Sequence, residues 1–208
     1  MKKAVVVAIV LLSCVGLVFA GETTIAVSGG YSRDANTYEM VFDTDFVLLG
    51  PALALDVAAS FGQLDIVLIG GVKLSLPTEL TVDIDGDENT FDLDSGWVCN
   101  GKIGAGYRFF ADTRFPLVVG AGGTLVVSQF TPADSDTDFV QSAIGVFGTV
   151  QGSVFVTKWF GFMAGLDIGY HFLPVFAQLT DETGSEDMTE WYQSASYFDV
   201  RAGIVFRF

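Results

Sequence analysis

From residue 191 to residue 208 the chain changes character at every second position. Tyr192, Ser194, Ser196, Phe198, Val200, Ala202, Ile204, Phe206 and Phe208 form one set, apolar toward the chain end. Gln193, Ala195, Tyr197, Asp199, Arg201, Gly203, Val205 and Arg207 form the other, with charges and small groups. An extended strand sends alternate side chains to opposite faces, so this stretch asks for two different solvents. Residues 160–172 repeat the pattern more cleanly: Phe160, Phe162, Ala164, Leu166, Ile168, Tyr170 and Phe172 alternate with Gly161, Met163, Gly165, Asp167, Gly169 and His171.

Mean hydropathy is +0.49 over 208 residues, yet beyond residue 20 no apolar run approaches the roughly 20 residues a membrane helix needs. A hydrophobic chain without spanning helices can live in lipid as a closed β-barrel, which satisfies every backbone group between strands. The first 20 residues read as an export signal. Lys2 and Lys3 lead an apolar run from 4 to 19, and Val18-Phe19-Ala20 sets small residues for cleavage after Ala20. A lipoprotein cut before Cys14 is the weaker alternative, because it leaves an apolar stub after the lipid. Residues 21–208 then form one domain. Losing two lysines takes the formal charge from -15 to -17, which gives nucleic acid no electrostatic footprint. Cys99 would be the one remaining cysteine, so no internal disulfide is expected.

The ending resembles the closing strand of bacterial outer-membrane β-barrels, a family whose last strand finishes on an aromatic residue preceded by alternating apolar positions. That resemblance implies an all-β, closed, antiparallel, up-and-down transmembrane barrel. It also implies an outer-membrane address, contact with its lipids, and recognition of Ile204, Phe206 and Phe208 by the barrel-assembly machinery.

Strands are expected over residues 24–31, 38–49, 52–61, 65–76, 79–84, 97–110, 117–127, 139–155, 160–172 and 191–208. A polar loop over 32–37 and a tight turn at Gly50-Pro51 separate the first three. The count is ten. Eight, usual in the OmpA/OmpX-type barrels the chain resembles, is the alternative if residues 65–84 divide differently. Longer acidic connections alternate with short turns, as external loops and periplasmic turns do. A lipocalin-like barrel or a sandwich would reverse the faces, burying the bulky residues; here the glycines and charges share a face too small and polar for a dry core. Aromatics near strand ends, among them Tyr31, Phe61, Trp97, Tyr170, Phe172, Trp191 and Tyr192 at one end and Phe46, Phe109, Phe115, Trp159 and Phe208 at the other, supply two interfacial girdles.

Within the barrel, Glu39, Asp43, Asp45, Asp56, Asp167 and Asp199 are expected to meet Lys73, Lys102, Arg108 and Arg201. Either they form a salt-bridged plug, since buried charges must be paired, or they line a narrow, cation-preferring pore for small solutes. Asp83, Asp85, Asp87 and Asp94 match the acidic positions of a calcium loop, but Glu88 stands at its glycine position and no helices flank it. A low-affinity site for calcium or another divalent cation is the corresponding expectation, with no other cofactor. Asp134, Asp136 and Asp138 extend the acidic surface, which cations would bridge to phosphates of surrounding lipopolysaccharide. His171 faces inward with Asp167 about 13 Å away along the strand, too far for a catalytic pair, so no enzyme is expected. The remaining alternative is an adhesin or ligand-binding surface protein acting through its external loops.

Overall fold

The computed structural model describes residues 22–208 apart from 40–42, 61–64, 85–86, 134, 136 and 182–183. The expected leader, with Cys14, lies outside the described residues, as do Phe61, Asp85, Asp134, Asp136 and the side chain of Asp43. The strands are β1 (Thr23–Glu39), β2 (Asp43–Ser60), β3 (Ile66–Ser75), β4 (Glu79–Ile84), β5 (Asp87–Phe109), β6 (Leu117–Pro132), β7 (Asp138–Phe155), β8 (Phe160–Asp181), a short β9 (Gly184–Asp187) and β10 (Tyr192–Arg207). One turn of 3-10 helix, Thr189–Trp191, precedes β10.

Every pairing is antiparallel, and β1 pairs with both β2 and β10, so the sheet closes on itself. Closure removes the edge strands whose unpaired backbone groups lipid does not tolerate. Among the described residues, ten strand segments make a ring of eight staves. β3 and β4 share one stave, since both pair with β2 on one side and β5 on the other. The stave is interrupted at Pro77, which has no N–H for the ladder. Leu76 and Thr78 still donate to the carbonyls of Pro51 and Leu49, each at 2.9 Å, which keeps the break sewn to β2. β9 doubles the outer end of β8.

Two connections expected from the sequence are strand instead. Residues 32–37 continue β1, and Gly50-Pro51 run straight through β2 opposite Ser32 and Tyr31. The Pro51 carbonyl accepts from Leu76, so its missing N–H points at the same interrupted stave. Gly50 is required there by close approach, because a Cβ would come within 2.5 Å of the Pro77 Cα.

The bulky residues face outward. Leu166, Ile168, Phe162 and Ile204 are exposed, and Phe160 and Phe206 lie half-exposed against Trp159. Opposite them, Asp56, Lys73, Asp167, Asp199 and Arg201 are buried in the lumen. This is the sidedness of a barrel in lipid. Tyr31, Tyr170 and Phe172 ring one end of the apolar band, and Phe109, Phe115, Trp159 and Phe208 ring the other.

Toward the outer ends of the staves the polarity reverses while the alternation continues. There Tyr38, Leu48, Leu80, Phe130, Phe139 and Tyr192 gather inside the ring, with Phe46 packed against them. Tyr38 meets Phe46, Phe139 and Tyr192 edge-to-face, with ring centroids 5.3–5.7 Å apart. Outside that section Glu39 and Asp45 are exposed, and Glu39 accepts from Gln193 Nε2 at 3.1 Å. The expectation that Glu39 and Asp45 line the lumen is therefore corrected, and Phe46 and Tyr192 belong to the interior rather than the girdles. The cause is solvent: once a stave leaves lipid its outer face meets water, and the apolar side chains turn inward.

Candidate functional site

The lumen at membrane depth is built from one inward residue per turn of alternation on each stave. β1 supplies Ser28, Ser32 and Asp34, β2 Asp56, β3 Lys73, β5 Lys102, β7 Thr149, β8 Asp167, and β10 Asp199 and Arg201. Arg201 donates to Asp56 at 2.5 Å, to Asp167, and to the Ser28 hydroxyl at 3.3 Å. Lys102 pairs with the same two carboxylates, at 2.8 Å and 2.5 Å. Thr149 donates to the other oxygen of Asp167. Two acids and two bases thus form a closed quartet, charge-balanced and buried.

Beside it, Lys73 pairs with Asp199 at 2.9 Å and Asp34 at 3.3 Å and donates to Ser32 at 2.8 Å, while Ser32 donates to Asp34 at 2.7 Å. This second cluster holds two carboxylates to one ammonium. Asp199 and Asp167 lie directly across the β10–β8 ladder from one another, and each is held by its own cluster. These ion pairs are chords across the ring: Lys102 and Asp167 come from staves with two others between them, and so do Lys73 and Asp199.

The inward glycines do not leave open space. Ile69 lies over Gly106 and Gly120, Phe147 over Gly122, and the Tyr197 ring over Gly169, where a Cβ would sit 2.0 Å from the ring. Lys73 sits 4.6 Å above the Tyr197 ring and Lys102 5.6 Å from that of Phe147. A cavity of about 20 Å³ lies toward the end of the barrel where β1 begins and β10 ends, among Glu22, Asp56, Arg108, Gln151, Phe155 and Met163. One of about 10 Å³ lies toward the other end, among Asp34, Ser128, Gln141 and His171. Each has room for about one water.

Of the residues expected to form the charge network, Asp56, Lys73, Lys102, Asp167, Asp199 and Arg201 come together. Arg108 faces inward but pairs with Glu22 at the mouth where β1 begins and β10 ends, and there Arg207 also reaches Glu22 at 3.6 Å and stacks 3.6 Å over Phe155. Asp34 and Glu22 are members that sequence reasoning missed. The signal for Asp34 is present, since Ala26, Ser28, Gly30, Ser32, Asp34 and Asn36 continue one small, polar face once no loop is assumed at 32–37.

The candidate calcium loop is a β-hairpin. Asp83 pairs across it with Glu88, and Ile84 with Asp87. Paired residues share a face, so Asp83 and Asp87 point to opposite sides. Asp94 lies beyond the end of that ladder. Among the described residues no three acidic, histidine or cysteine side chains converge as metal ligands. His171 packs 5.7 Å from the Tyr197 ring, and neither ring nitrogen has a hydrogen-bond partner among the described residues. The pairing that general acid–base catalysis requires is not formed there. Cys99 is half-buried on the outward face of β5. Ile204, Phe206 and Phe208 share the lipid face of the last strand, as the alternation predicts.

No protein-family profile and no curated protein matches this sequence. Solved structures do. The crystal structure of Neisserial surface protein A superposes with a TM-score of 0.57 at 12% identity, over 90% of this chain and 99% of that one. The outer membrane protein OprG from Pseudomonas aeruginosa gives 0.56 at 14%, over 91% and 97%. The outer membrane protease OmpT from Escherichia coli gives 0.52 at 7%, over 90% and 97%. With the closed ring and the apolar outer band, these likenesses identify the fold: the chain is a closed antiparallel β-barrel with the architecture of small bacterial outer-membrane proteins.

Proposed function

We propose that the protein is an integral outer-membrane barrel with a closed lumen, which acts as a rigid pillar for its acidic external end rather than as a pore. The quartet of Asp56, Lys102, Asp167 and Arg201 carries this reading, because it ties together staves from different sides of the ring at membrane depth. A cation-preferring pore needs a hydrated path, and an eight-stave ring is just wide enough for side chains to fill. Ile69, Phe147 and Tyr197 fill it here above the inward glycines. Single-channel recording in a planar bilayer tests the reading. The expected record is silent; discrete cation-selective steps from the refolded protein would establish the pore instead.

The charge distribution favours a second reading alongside the first, in which the external end binds a ligand. Residues 34–49, 77–97, 127–145 and 173–197 hold most of the chain's 25 acids and no lysine, arginine or histidine. A partner drawn to that surface is cationic, and its association weakens steeply with salt. Binding of a lysine-rich peptide to vesicles carrying the protein, at low and at high salt, measures this. Equal binding by protein-free vesicles ends the idea.

A further inference from the structure

β8 stays apolar on its outer face further than β10 and β1 do. Measured by register, β10 turns polar at Ser196, opposite Tyr170, and β1 turns polar at Arg33, opposite Phe198. β8 instead continues through Phe172, Leu173, Val175 and Phe176, all exposed, with Pro174 half-buried among them. Strict alternation would point Leu173 and Val175 inward. Two irregularities in the β7–β8 ladder prevent it: Gly145 pairs with His171 and Ile144 with Leu173, so Phe172 is an extra residue, and between Ala143–Pro174 and Ser142–Phe176 so is Val175. β-Bulges of this kind re-aim side chains, and here each turns two consecutive apolar residues outward. Inward alternation resumes at Ala177.

The ridge is continuous with the lipid-facing band beneath it, formed by Leu166, Ile168 and Tyr170 on the same stave and by Ile144 and Val146 on β7. From Phe160 to Phe172 a tilted strand rises about 30 Å, which already matches a hydrocarbon core. Leu173 to Phe176 therefore lie at the level of the outer headgroups if the barrel stands upright.

We propose that acyl chains of the outer leaflet wrap this wall up to Phe176, so that the barrel meets lipid unevenly around its circumference. A tilt toward β8 supplies the reach, since a stave longer than the hydrocarbon core is accommodated by tilting. The proposal rests on the membrane reading above, and the test separates the two. In a background with Cys14 and Cys99 replaced by alanine, nitroxide probes are placed singly at Leu166→Cys, Val175→Cys and Ser194→Cys in the full chain, reconstituted in phospholipid vesicles. Their collision rates with oxygen, which concentrates in lipid, and with a water-soluble nickel chelate are compared. The expected result is that the Val175 probe matches the Leu166 probe and differs from the water-accessible Ser194 probe. If the Leu166 probe reports lipid while the Val175 probe reports water, the wrapped wall is wrong and the membrane barrel stands. If the Leu166 probe itself reports water, the membrane reading fails. Spin–spin broadening at Val175 with exclusion of both reagents would show a second copy covering the ridge and would overturn the proposal.

Discussion

Replacing Arg201 by methionine separates a sealed lumen from a hydrated one by magnitude alone. The Arg201 side chain is 0% exposed and holds two carboxylates, Asp56 and Asp167, with Ser28 as a third acceptor. Methionine keeps most of the volume and removes the charge, leaving Lys102 to face both acids. In a sealed lumen the loss of two charge-assisted hydrogen bonds and the unpaired buried charge cost about 3–5 kcal/mol. In a water-filled lumen the same pairs behave as surface ion pairs, and the loss is about 0–1 kcal/mol. A second substitution, Asp56→Asn, tests whether charge balance is the cause. The double variant keeps the 2.5 Å pair of Lys102 with Asp167, one base to one acid. It is expected to recover at least half of the loss, because removing both members of a buried pair is far cheaper than removing one. Urea unfolding in lipid vesicles, followed by tryptophan fluorescence and by the mobility shift of the folded barrel on gels, supplies the free energies. A cost below about 1 kcal/mol for Arg201→Met, or a double variant no better than the single, refutes the sealed quartet.

The neighbouring cluster predicts an asymmetry of sign, measured in the same urea titration. Lys73→Met, which strands Asp34 and Asp199, should cost several kcal/mol, whereas Asp199→Asn should cost under about 1 kcal/mol or stabilise, since Asp199 faces Asp167 across the ladder. Gly30→Ala should cut the yield of folded barrel on refolding, because its Cβ would sit 2.0 Å from the Val200 carbonyl oxygen at the β1–β10 closure. Gly101→Ala should refold like the parent, since nothing lies within 4 Å of the added carbon. Two outward positions should respond oppositely to the same residue. Leu166→Arg, on the lipid face, should cost about 2–4 kcal/mol, while Asp45→Arg, outside the apolar cap, should cost under about 0.5 kcal/mol. Equal costs at the two sites would mean that the band and the outer ends share one solvent.

The alternation in β5 to β8 and β10 was legible because a period of two fixes phase without knowledge of any partner, and Lys102, Asp167, Asp199 and Arg201 all point as it requires. Phase does not specify which solvent lies on which side. Alternation alone sets Glu39 and Asp45 apart from Phe46 and Leu48 and suggests an inward face for the charges, whereas near the outer ends of the staves that face meets water. Gly50-Pro51 carries the composition of a turn, yet it lies in β2 because the break opposite, at Pro77, relieves the need for its missing donor. Which lysine meets which aspartate was hidden as well. Lys73 and Asp199 are 126 positions apart, and only the stagger of the closed ring brings them to one level.

The reversed cap and the ion-paired layer are coupled through water. Within lipid, burying an apolar side chain in the lumen gains little over leaving it among acyl chains, so the interior can be polar provided its charges are paired. Beyond the lipid the hydrophobic effect returns, and Tyr38, Phe46, Phe130 and Phe139 close the ring from outside. That closure keeps bulk water from Lys73 and Arg201 and sustains the low dielectric in which their pairs are strong. Opening the cap should therefore weaken pairs it does not touch. Phe139→Ala removes ring contacts with Tyr38, Phe46 and Phe130, at centroid distances of 5.0–5.7 Å. Substitutions at sites without shared partners normally add to within about 0.3–0.5 kcal/mol. If the cap excludes water, Arg201→Met should cost less by more than that margin in the Phe139→Ala background than in the parent. Strict additivity would mean that the ion pairs are sealed by their own neighbours, Ile69, Phe147 and Tyr197, and that the cap serves only the external end.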